Sequence, residues 1–148
     1  MKKYKIQLTA LSEKDLGLAY LSFKDALYDV SVAAFGWDET FQHGRFMKAY
    51  EPEWFYWIEH DSQKVGYTCF VSRQNDIHVH LLIVDKKFQG KGYGKETMEL
   101  IAEIAKAGNL DVTLSTLKNN TGAVKLYENL GYKITDQDEY FYDMALKG

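Results

Sequence analysis

Residues 77–105 constrain the fold most, because three patterns follow one another there without a break. Residues 77–84 are rich in β-branched and aliphatic side chains, the composition of a central strand. Gln89-Gly90-Lys91-Gly92-Tyr93-Gly94 comes five positions later, alternating glycine with larger residues. Tyr93, Thr97, Leu100, Ile101 and Ile104 then recur at helical spacing, marking a buried stripe on a long helix that stops at Gly108-Asn109. Strand, glycine turn and helix in this order put the turn at the helix N-terminus. Glycine tolerates unusual φ and brings no Cβ. The first helical turn offers unpaired N–H groups and the positive end of the dipole. The loop is therefore a candidate cradle for a phosphate or pyrophosphate, with Lys91 and Lys95 adding charge.

By itself the loop admits several readings. A dinucleotide fold needs G-x-G-x-x-G early in a βαβ unit, whereas here the spacing is G-x-G-x-G and the loop lies late. A P-loop needs G-x-x-x-x-G-K-[ST], whereas Gln89 holds the first glycine position and Glu96 follows Gly94-Lys95. A flexible turn into a helix stays open.

The rest of the chain predicts a mixed α/β order. Residues 4–9 read as a strand. Ser12-Glu13-Lys14-Asp15 has the form of a capping box ahead of a helix carrying Leu16, Ala19, Tyr20, Phe23, Leu27 and Val30, with Gly36 as its stop. A second helix is expected over residues 38–49, before Pro52. Strands are expected at 54–59 and 65–72, with Gly66 marking a bulge or a close backbone approach. Residues 111–117 form another strand. Asn120 or Thr121 then caps a short helix through Leu130, ended by Gly131. Strands at 132–135 and 140–146 close the chain. The order is strand, two helices, three strands, helix, strand, helix, two strands, in one domain over residues 1–148.

Composition narrows the function. The net charge of −3 argues against a general nucleic-acid binder. No apolar stretch reaches membrane-spanning length, and the basic start Met1-Lys2-Lys3-Tyr4-Lys5 leads into no signal-peptide core. Cys69 sits alone in an apolar run, a small buried residue by type. The expectation is a cytoplasmic, reduced protein without membrane partners.

A second motif lies downstream. Asn120, Ala123, Tyr127, Gly131 and Tyr132 fit every specified position of N-x-x-A-x-x-x-Y-x-x-x-G-[F/Y]. Gln89, Gly92 and Gly94 fit [Q/R]-x-x-G-x-[G/A], and Leu82-Ile83-Val84 fits the strand pattern L-x-V upstream. In these motifs and their order the sequence resembles the GCN5-related N-acetyltransferase (GNAT) superfamily over nearly its whole length, least over residues 10–55. Lys86 stands where many relatives have proline.

The resemblance implies an α/β (α+β mixed) fold. Its central sheet would be mostly antiparallel and twisted, of about six to seven strands, with helices on both faces and CoA between splayed central strands. It implies acetyl-CoA as cosubstrate, with no metal. The arm would lie beside Leu82, Ile83 and Val84, the Leu82 N–H polarising the thioester carbonyl. Gln89, Gly90, Lys91, Gly92, Tyr93, Gly94 and Lys95 would hold the pyrophosphate, and Asn120 would contact the arm from the other side. Tyr127 would be the general acid for the departing thiolate; equally, Ala123, Leu126, Tyr127 and Leu130 share one apolar face.

The acceptor is then a primary amine of a small molecule or peptide, attacking directly in a ternary complex; a non-catalytic acetyl-CoA sensor is the alternative. Homodimers are common in the resembled family. An attacking amine must shed a proton. His78, on the strand before the loop, suits that task by type, with His80 two positions on and hence on the same face of a regular strand. Glu53, Glu59 and Asp85 are further candidates, and His78-x-His80 lacks a visible third metal ligand. Phe35-Gly36-Trp37-Asp38-Glu39-Thr40-Phe41 mixes rings with carboxylates, either to hold a cationic amine or to pack a helix connection.

Overall fold

The computed structural model describes residues 3–148; Met1 and Lys2 of the basic start lie outside the described residues. Among the described residues seven strands form one sheet in the order β1-β2-β3-β4-β5-β7-β6. They are β1 (Gln7–Ala10), β2 (Phe55–His60), β3 (Gln63–Ser72), β4 (Asp76–Val84), β5 (Asp111–Leu117), β6 (Lys133–Gln137) and β7 (Phe141–Leu146). Every pairing is antiparallel except β4 with β5. The helices are α1 (Leu16–Ala34), α2 (Glu39–Ala49), α3 (Tyr93–Ala107) and α4 (Thr121–Asn129). Among the described residues no helix is long and apolar enough to cross a membrane.

Two larger apolar clusters and a smaller one pack on the sheet. Ile77 and Val79 pack with Met98, Ile101 and Ala105 of α3 and Tyr127 of α4. Leu81 and Ile83 pack instead with Ala19 and Tyr20 of α1, Phe46 of α2 and Tyr67 of β3. Odd-numbered residues of β4 thus change face between Val79 and Leu81. The cause is a bulge: Cys69 pairs with Leu81 but Phe70 with Val79, so His80 is an extra residue. Strict alternation across 77–84, the basis for putting His78 and His80 on one face, does not hold.

Local signals set most boundaries. Asp38 caps α2 by accepting from the Phe41 N–H at 2.9 Å. Gly36, at φ +93°, ends α1 with its N–H on the Ser31 carbonyl at 2.9 Å. A Cβ on Gly66 would lie 2.1 Å from the Ile83 carbonyl oxygen, so β3 and β4 approach there as closely as glycine permits. The expected capping box does not form: the Ser12 side chain makes no capping bond, and residues 13–15 wind as a 3₁₀ turn before α1. The buried stripe of α3 is also rotated from expectation. Ile104 is exposed, while Met98 and Ala105 are buried with Tyr93, Thr97 and Ile101.

Candidate functional site

The parallel ladder between β4 and β5 ends at the pair Val79–Leu114. Beyond it β5 continues against β7 as far as Leu117. From His80 to Val84, β4 therefore turns an open edge towards a cleft of about 290 Å³. An open edge presents backbone donors and acceptors ready to pair with an extended ligand. The cleft is walled by Leu82 and Ile83 of β4, by residues 115–117 of β5, by Asn120, Ala123 and Tyr127 around α4, and by α1 and α2. His78 and His80 lie in the same cavity.

Beyond β4 a 3₁₀ turn at Lys86–Phe88 leads into the glycine loop. Gly90 and Gly92 have φ of +76° and +86°, and a Cβ at either would meet nothing within 4 Å. The loop is thus left-handed at two points and open towards solvent. Gly92 is the N-cap of α3 and offers no side chain to its donors. The N–H groups of Tyr93, Gly94 and Lys95 consequently have no intrahelical partner, since the Glu96 N–H is the first to close on the Gly92 carbonyl. Gly94 sits tighter, its Cβ position 3.7 Å from both Leu82 and Leu126. Lys91 and Lys95 are exposed beside the loop. Two loop side chains are committed elsewhere. Gln89 donates from Nε2 to the Val84 carbonyl at 2.9 Å, tying loop to strand. The Tyr93 ring is buried with Ile6, Ile58 and Val65, its hydroxyl 2.7 Å from His60 Nδ1. Of Tyr93 only the backbone faces the loop.

Across the cleft, Asn120 heads α4 without a side-chain capping bond, which leaves its amide free to face the cavity. Tyr127 follows two turns later. Its ring is packed against Tyr132, and burial pushes its hydroxyl up to about 12. Core packing and a place on the cleft wall hold together for this residue. Asn119, beside it, donates to the Val30 carbonyl at 2.9 Å and ties the loop before α4 to α1.

His78 has neighbours that no local pattern announces. It lies opposite Thr113 in the parallel ladder, and its Nδ1 is 2.8 Å from Thr113 Oγ1. Thr113 Oγ1 is 2.6 Å from Asp76 Oδ2. Asp76 takes a two-pronged bond from Arg73, at 2.8 and 2.7 Å, which holds its carboxyl down at about 2. An ionised carboxylate only accepts, so the Thr113 hydroxyl must donate to it. The threonine oxygen is then left to accept, and His78 must donate from Nδ1. The imidazole keeps its proton on Nδ1 and its lone pair on Nε2. Burial, then the Arg73 charge, lower the His78 pKa from the ordinary histidine value, so the ring is neutral at pH 7. His80, 4.7 Å away ring to ring, is held at about 4, chiefly by burial. It stacks at 5.3 Å on Trp54 as a packing residue.

The other acid–base candidates do not reach the cavity: Glu53, Glu59 and Asp85 are absent from its walls. The aromatic-acidic segment is mostly helix-connection packing. Glu39 is taken up by Lys24 at 2.7 Å, Tyr20 at 2.7 Å and the Trp37 indole at 3.1 Å, while Phe35 reaches the cleft. Gln42 and Arg45 of α2 line the cleft without having been singled out by any motif. Cys69 is buried, and burial pushes its thiol up to about 12, which leaves it inert. Among the described residues no group of three His, Cys, Asp or Glu side chains is placed to hold a metal ion.

Known proteins share this layout. The sequence profile of the acetyltransferase (GNAT) family matches residues 24–132. A Danio rerio protein named N-acetylaspartate synthetase is 36% identical over 89 residues, covering 58% of this chain; the matched region spans 30% of that relative's length. The PaiA N-acetyltransferase of Thermoplasma acidophilum, solved in complex with coenzyme A, superposes with a TM-score of 0.71 at 21% identity, over 97% of this chain and 99% of its own. The Escherichia coli ribosomal-protein-S18-alanine N-acetyltransferase superposes at 0.63 with 22% identity, over 96% and 93%. At those identities the structural likeness is one of fold.

Proposed function

The chain belongs to the acetyltransferase (GNAT) family, and on that premise we propose that it transfers the acetyl group of acetyl-CoA to a primary amine of a small molecule or peptide, by direct attack. The observation that carries the reading is the open edge of β4. It runs from His80 to Val84, and a 3₁₀ turn at Lys86–Phe88 and the glycine loop join it to the unpaired N–H groups at the start of α3. An extended pantetheine arm can pair with that edge while its pyrophosphate meets the N–H groups of Gly92, Tyr93, Gly94 and Lys95. Gly90 and Gly92 leave room for the phosphates, and Lys91 and Lys95 supply charge. Gln89 supports the loop from below through Val84. The backbone N–H of Leu82 polarises the thioester carbonyl, an aimed donor of a kind that contributes about 100-fold or more in rate. Asn120 meets the arm from the α4 side.

The amine attacks the thioester carbon, and the C–N bond forms as the C–S bond breaks. Nε2 of His78, held as the free lone pair by the Thr113–Asp76–Arg73 chain, takes the proton that the nitrogen sheds. The Tyr127 hydroxyl stays protonated and donates a hydrogen bond to the departing sulfur as charge builds there. A hydroxyl held near 12 is a weaker acid than a thiol, so its contribution is that bond rather than a free gift of the proton. Structures of relatives with coenzyme A bound support acetyl-CoA as the donor.

Calorimetry with coenzyme A, ATP and NAD, followed by mass spectrometry of products across an amine and peptide library, tests the reading. Expected are preferential binding of coenzyme A and products heavier by one acetyl group. Preference for ATP or NAD would overturn the site. Tight coenzyme A binding with no product from any amine would leave a sensor in place of an enzyme.

A further inference from the structure

We propose that the acceptor amine also carries a carboxylate, and that Arg45 is the side chain that recognises it; this rests on the acetyl-transfer reading above. The charges facing the cleft are one-sided. Among the described residues no aspartate or glutamate lines it, and of its charged or titratable walls apart from tyrosine, Arg45 joins only His78 and His80. Both histidines are neutral at pH 7, held down by burial first. Among the described residues Arg45 is the one fixed charge on the wall.

That charge is uncommitted. Among the described residues no carboxylate forms a salt bridge with Arg45. The two acids that precede it on the same stretch are spent elsewhere: Asp38 caps α2, and Glu39 holds Lys24, Tyr20 and Trp37; Glu51, six residues downstream, forms no salt bridge with it. Arg45 projects from α2 next to Gln42, which gives a cation and a neutral amide on the same wall. On the same cavity wall Tyr50 stands between α2 and β4, its ring 5.1 Å from that of His80.

These facts select among amines. A polyamine would bring a second cation against Arg45 with no acid in the cleft to receive it. An amine bearing a carboxylate presents two oxygens to a planar guanidinium, the geometry that arginine binds through paired N–H···O bonds. Gln42 can add a donor to the same group. With the carboxylate held at α2, the amine end of the acceptor is directed inward, towards His78 and the open edge of β4.

The test uses the whole chain, acetyl-CoA, and matched acceptors: free L-amino acids, the same amino acids as C-terminal amides, tripeptides with and without an acidic first residue, and spermidine. The expected result is a kcat/KM at least about tenfold higher for each acid than for its amide, as a charge-assisted bond implies. In Arg45→Gln that ratio collapses to about one through KM for the acid, and Arg45→Lys recovers part of it. Calorimetry of Arg45→Gln with coenzyme A verifies that the variant is folded. A preference for the acidic tripeptides over the neutral ones would support the same chemistry and locate the carboxylate on a peptide. Equal rates on acids and amides, or a preference for spermidine, would overturn the proposal while leaving acetyl transfer standing. Binding of coenzyme A with no acetylation of any amine would overturn both.

Discussion

His78 shows how much one residue's role depends on its partners. A histidine at that position was legible as a base by type alone; its tautomer was not, because Thr113 lies 35 positions away and meets it across the parallel ladder. The neutral ring must lose activity when it gains a proton. With its pKa lowered by burial, the acid limb of the kcat/KM profile is expected below the ordinary histidine value of about 6.5. His78→Gln should remove that limb, and Thr113→Val should move it while leaving acetyl-CoA affinity unchanged; a wild-type profile in His78→Gln rules the residue out as base. Tyr127→Phe is expected to lower kcat by about 100-fold with little change in the KM for acetyl-CoA, because the bond it loses forms as the sulfur leaves. A wild-type kcat would reduce Tyr127 to a packing residue.

At the scale of elements, boundaries were legible wherever a capping or glycine signal was local. Residues 111–117 were expected as a strand and form β5 over the same span, and Asp38, Gly36 and Gly131 mark helix ends as their types predict. The failures have a common cause. Ser12 has the right residue for a capping box, but residues 13–15 take a 3₁₀ turn instead. Apolar type puts Ile104 on the α3 stripe, yet packing against β4 and β5 buries Met98 and Ala105 and leaves Ile104 out. The bulge at His80 inserts one residue that no 3.6- or 2-residue period contains. Two substitutions test elements directly. Gly92→Glu sets a bulky anion beside the unpaired donors of α3 and strains a left-handed backbone at about 1–2 kcal/mol. Coenzyme A binding by calorimetry should vanish while the circular dichroism spectrum persists; unchanged affinity would move the phosphate site elsewhere. Gly66→Ala would drive a Cβ to 2.1 Å from the Ile83 carbonyl. The strands would have to part, with an expected loss of about 2 kcal/mol or more in urea denaturation.

Across the whole molecule, acid should weaken the fold through several groups with one sign. His78 and His80 have folded pKa values below the ordinary one, so below about pH 6.5 the unfolded chain binds protons that the folded chain refuses. Asp76, held at about 2 by Arg73, adds stability that is present above its ordinary value of 3.8 and lost as the pH falls towards 2. The urea midpoint is expected to fall steadily from pH 6.5 to 4. His80→Phe keeps a ring on Trp54 and should flatten that fall; an unaltered slope would mean that His80 does not drive it. The loop at 89–94 and the motif at 120–132 were readable because each is contiguous, its glycines, asparagine and tyrosine fixed by what a helix start and a helix face require of single residues. The sequence by itself determined the family, the mixed α/β order and the glycine turn at the start of α3. The tertiary structure decided where β4 parts from β5, which face His78 takes, and that Arg45 stands on the cleft wall while Glu39 does not. Those features depend on register and packing between segments far apart in the chain, and no local period encodes them.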